Sequence, residues 1–70
     1  MTFTELPAVG DRVPSWFSDQ PDGMSIVLMV YPYRGRYAEW FDYVVRLSAP
    51  RTRQGFMEVC AKVVRQEVAE

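Results

Sequence analysis

From Trp40 to Ala49 the chain alternates apolar and polar residues with a period of two. Phe41, Tyr43, Val45, Leu47 and Ala49 fall on one face, and Trp40, Asp42, Val44, Arg46 and Ser48 on the other. One greasy face is the pattern of a half-solvated antiparallel strand. Ser25–Tyr33 holds Ile26, Val27, Val30 and two tyrosines, all good strand formers. Unbroken alternation sends Ile26, Leu28 and Val30 one way and Val27, Met29, Tyr31 and Tyr33 the other. Pairing on one side of this strand is expected to stop at Pro32, which has no amide hydrogen.

Turn residues punctuate these runs. Pro21-Asp22-Gly23 presets, bonds and reverses the backbone, so Ser15–Phe17 and the run from Ser25 should form a hairpin. Arg34-Gly35-Arg36 predicts a second turn. Pro7, Gly10 and Pro14 make residues 1–12 an irregular arm with at best a short edge strand. The segment Gly55–Ala69 sorts best at helical spacing. Phe56, Val59, Cys60, Val63 and Val64 then share one arc, and Glu58, Lys62, Arg65 and Gln66 lie opposite. Its valines and its charges, with Arg51 and Arg53 near the start and Glu67 and Glu70 near the end, oppose a helix.

The expected fold is therefore α+β, a single domain over residues 1–70. Three antiparallel strands form a meander, and one C-terminal helix packs on one face. The alternative is an all-β, four-stranded meander, dimeric because one sheet face would otherwise stay bare. A 70-residue chain buries only about 60% of its unfolded surface, and small domains without staples often gain area by oligomerising. A homodimer fits that expectation.

Composition narrows the chemistry. The chain has no histidine and one cysteine, Cys60. An intrachain disulfide is impossible, histidine-dependent triads are excluded, and the usual structural zinc sites are excluded, so no metal is expected. The four glycines are scattered as turn residues and form no phosphate loop or dinucleotide turn, so no cofactor is expected. Glu39 and Asp42 are the one carboxylate pair, and they read as solvated charges beside arginines rather than as acid and base. Cys60 reads as a small core residue. Met1–Gly10 has no basic stretch, and the longest apolar run, Ile26–Tyr31, is too short for a bilayer. No membrane association is expected, and the lone cysteine points to the cytoplasm.

Net charge is −1, but it is unevenly spread. Residues 31–54 carry five arginines against two acids, whereas residues 1–30 carry four acids against one arginine. Six of the ten aromatics fall within Tyr31–Tyr43, interleaved with Arg34 and Arg36. Tyrosine, tryptophan and arginine are enriched at interface hot spots. The sequence thus predicts a non-enzymatic protein-interaction module. Its contact residues are Tyr31, Tyr33, Arg34, Arg36, Tyr37 and Trp40, extended by Arg51 and Arg53, and its partner is another protein or a second copy. The alternative is single-stranded nucleic acid, stacked on the rings with the arginines on phosphates. A third reading gives the same residues to core and turn only.

Overall fold

The computed structural model describes residues 1–64, and they contain five strands and no helix. The strands are β1 (Thr2–Phe3), β2 (Arg12–Pro14), β3 (Met24–Pro32), β4 (Tyr43–Ser48) and β5 (Phe56–Val63). They form one sheet in the order β1-β5-β4-β3-β2. β2 to β5 run as an antiparallel meander, and β1 adds to β5 in parallel. The sheet curls into a half-barrel. Because β1 and β2 sit at opposite edges, residues 4–11 must cross between them.

The expected α+β fold is overturned, since the protein is all-β over the described residues. The C-terminal helix is replaced by β5, although residues 65–69 of that expected helix lie outside the described residues. The four-stranded alternative is exceeded by one strand, β1. Helical spacing had sorted the segment by polarity, but cross-strand partners decide otherwise. Met57, Val59, Ala61 and Val63 alternate along β5, where Met57 and Val59 stand opposite Leu47 and Val45 of the core. Phe56 and Glu58, a mismatched pair in sequence, both meet Arg46 on the other face. Its guanidinium lies 4.1 Å from the centre of the Phe56 ring and 3.6 Å from the Glu58 carboxylate. Gly55 supplies the positive φ of 83° that the preceding turn requires.

Sequence alternation also misassigned half of β3. Val27 pairs with Leu47, but the next rung joins Met29 to Arg46, so Leu28 is an extra residue in a β-bulge. The bulge changes the phase of the strand. Ser25 and Val27 point to the core before it, and Val30 does so after it. Ile26, Leu28 and Met29 are left exposed. The core itself is small. Val27, Val45, Leu47 and Ala61 are fully buried and Val13 nearly so, with Phe3, Phe17, Val30, Tyr43 and Val59 packed around them.

The lateral edges are blunted. Beyond the bulge, rungs such as Tyr33 N–H to Asp42 C=O turn the odd residues of β3 toward β4, so the backbone groups of Val30 and Pro32 face outward beyond the reach of β2. Proline occupies one of these two outward positions and has no amide to leave unpaired. On β5, the Phe56 carbonyl accepts from Thr52 Oγ1 and Gln54 Nε2, at 3.3 and 3.2 Å. β1 covers the stretch from Cys60 to Val64, and between these lies Glu58, a charged edge residue.

Two chemically identical substitutions test the bulge. Leu47→Ala should cost about 2–5 kcal/mol, whereas Leu28→Ala should stay within about 1 kcal/mol. Urea midpoints read both, and equal costs would place Leu28 in the core.

Candidate interaction surface

The loop between β3 and β4 is built on a few inward-facing groups. Tyr33 N–H donates to the Asp42 carbonyl at 3.0 Å and closes the loop. The Tyr33 ring packs on Phe41, with centroids 5.6 Å apart, and it also covers Gly35. A Cβ on Gly35 would meet the Tyr33 phenol, so any larger residue there requires that ring to shift. The Tyr33 hydroxyl accepts the Tyr37 amide at 3.3 Å. One turn follows, in which the Trp40 and Phe41 amides both donate to the Tyr37 carbonyl, at 2.8 and 3.1 Å.

Asp42 ties this loop to the next strand. Its amide donates to the Ala61 carbonyl at 2.8 Å, and its Oδ2 accepts the Val63 amide at 2.9 Å. Lys62 Nζ donates to the Glu39 carbonyl at 3.4 Å. The two carboxylates weighed as an acid–base pair therefore have separate structural partners, since Glu39 Oε1 accepts from Trp40 Nε1 at 3.2 Å.

With the frame made by Tyr33, Phe41 and Asp42, other loop side chains are left outside it. Trp40 is 65% and Tyr37 52% exposed, and Arg34 and Arg36 are exposed beside them. Arg34, Arg36, Tyr37 and Trp40 are thus all exposed on the one loop, and Tyr33 is half-buried. Tyr31 does not belong to this group. It lies on the outer sheet face, where its hydroxyl donates to the Glu58 carboxylate beside Arg46. Arg51 and Arg53 do not belong either. They are exposed on the β4–β5 turn, at the opposite end of β4 from the loop. Cys60 is half-buried on the outer face across from Val44.

Two features escaped the sequence. Trp16 is 87% exposed, its ring set edge-on to Phe17 with centroids 5.4 Å apart. It follows Pro14, past the end of β2, where no alternation assigns it a side. The second feature is an open cleft of about 1200 Å³ between the N-terminal arm and the loop. Leu6, Tyr33, Phe41 and Tyr43 line it together with Glu5 and Asp42, and among the described residues no basic side chain does. Its parts come from segments far apart in the chain, so no motif announces it.

Among the described residues, no group of three metal-ligating side chains converges, and no helix is long and apolar enough to cross a membrane. Comparison with family models, with curated proteins and with solved structures returned no match.

The Tyr31–Glu58 contact carries a pH signature. Donation to the Glu58 carboxylate, then lost hydration and the Glu58 charge, raise the Tyr31 pKa above 10.0, with Arg46 acting in the opposite direction. The stability this bond contributes is present below pH 10 and is lost as pH rises through the raised value. In a near-ultraviolet titration of the folded protein, the last tyrosine to ionise should disappear in Tyr31→Phe. Persistence of that late step would assign it to another ring.

Proposed function

We propose that the protein is a non-enzymatic interaction module that binds a protein partner, or another copy of itself, through the loop between β3 and β4. The observation that carries this reading is a division of labour within the loop. Tyr33, Phe41 and Asp42 hold its shape, while Tyr37 and Trp40 stay more than half exposed beside Arg34 and Arg36. Rigid rings supply apolar contact area with little rotamer entropy to lose, and guanidinium groups supply planar paired hydrogen bonds. Tyr33 acts as the support beneath the contact set, and Tyr31 serves the sheet. The nucleic-acid alternative needs the four arginines 34, 36, 51 and 53 along one track, and they stand at two ends of the sheet. A cytoplasmic setting accords with the single cysteine.

The double substitution Tyr37→Ser, Trp40→Ser tests the reading. Each change touches exposed surface, so stability should move by only about 0.5 kcal/mol per site. Capture from nuclease-treated host extract, beside sedimentation of the purified chain, should show a partner or an association that the variant loses. A variant that unfolds would return the rings to a structural role. One that keeps every association would end the proposal.

A further inference from the structure

The two ends of the sheet are complementary. At the loop end, the cleft spans from the arm that follows β1, which brings Glu5, to the loop, which brings Asp42, and Arg34 and Arg36 lie on the part of the loop that leaves β3. At the far end the order is reversed. Arg51 and Arg53 sit on the turn joining β4 to β5, and Asp19 and Asp22 on the turn joining β2 to β3. Among the described residues, neither Arg51 nor Arg53 makes an ion pair, while Asp22 is shared with Arg12. Each end also presents one exposed tryptophan, Trp40 at the loop and Trp16 at the far turn.

From this we infer that the occupant of the acidic, aromatic-lined cleft is the arginine-bearing β4–β5 turn of a second copy, so that copies associate head to tail along the strand direction. The inference rests on the proposed loop contact and names its partner. Sliding one copy along its strands by its own length sets acid against base on both sides at once. Arg51 and Arg53 meet Glu5 and Asp42, and Asp19 and Asp22 meet Arg34 and Arg36. The two tryptophans enter the same junction, as aromatic anchors do at interface centres. Association through the lateral edges is disfavoured by Pro32, the Leu28 bulge and Glu58. The junction joins two different patches, so it is heterologous and leaves a free cleft and a free turn on every dimer. Such contacts grow into open threads unless their rotation closes a ring.

Complementation distinguishes this geometry from any two-fold dimer. One variant, Arg51→Glu with Arg53→Glu, spoils the turn and keeps the cleft. Another, Glu5→Lys with Ala38→Trp, fills the cleft and keeps the turn. Sedimentation velocity of the unaltered chain should show concentration-dependent growth past the dimer, weakened by added salt. Each variant alone should associate at least tenfold more weakly, and an equimolar mixture should form a 1:1 dimer and nothing larger. Circular dichroism checks that both keep the sheet. If a double variant unfolds, the single changes Arg51→Glu and Glu5→Lys take its place in the same mixture. A chain that stays monomeric at millimolar concentration overturns the inference. So does one that stops at a dimer, or a mixture that fails to pair. The loop contact with a different protein would survive all three results, and it fails separately if the Tyr37, Trp40 variant loses nothing.

Discussion

The structure depends on the burial of alternate residues of β4 between two antiparallel neighbours. Leu47 lies between Val27 and Met57, and Val45 between Val30 and Val59. These rows hold the largest fully buried side chains, Leu47, Val27 and Val45. The register they fix also orders the polar face. Once Val45 and Leu47 point inward, Arg46 must point outward, where it receives Phe56 and Glu58 from one side and adjoins Tyr31 from the other. The loop inherits its position from the same pairing, because Tyr33 and Asp42 form the rung just beyond Pro32 and Tyr43.

Much of this was legible where one interaction dominates. The inward face of β4 followed from simple alternation, and the turn at Pro21-Asp22-Gly23 from its own backbone chemistry. The hairpin it closes uses Arg12–Pro14 in place of the expected Ser15–Phe17. Elsewhere the deciding partner was distant in sequence. Nothing local marks Leu28 as the bulged residue, since the shift exists only relative to β4. β5 looked helical because Phe56, Cys60 and Val64 seemed wasted beside Glu58 and Lys62, and the residue that uses Phe56 and Glu58 is ten or more positions away. The candidate surface divides in the same manner. Arg34, Arg36, Tyr37 and Trp40 are close in sequence and remain together, whereas Tyr31 belongs to the sheet and Arg51 and Arg53 to the other end. Trp16 and the cleft depend on how the arm is placed, which no periodicity encodes.

The molecule is a slab, 43 by 30 by 18 Å, and its thinness reflects a single curled sheet. Such a body has little room for an enclosed pocket, and its core takes up the inner surface. What remains for recognition is periphery. Beyond the short edge strands β1 and β2, the lateral periphery is blunted by a proline, a bulge, side-chain caps and a charge. The two ends carry the exposed tryptophans and, among the described residues, the four arginines without an ion pair, Arg34, Arg36, Arg51 and Arg53. The distribution of residues that resist contact is therefore as informative as the distribution of those that invite it.

The glycine beneath the Tyr33 ring has a thermodynamic consequence for recognition. That phenol fills the space a side chain would take, and its oxygen accepts the Tyr37 amide, so the backbone of the segment has support from within the loop. Immobilising a rotamer-rich interface side chain on binding costs about 0.5–1.5 kcal/mol, and a preshaped backbone adds little to that sum. Under the proposed function, such a surface would discriminate by shape and charge rather than by adaptation.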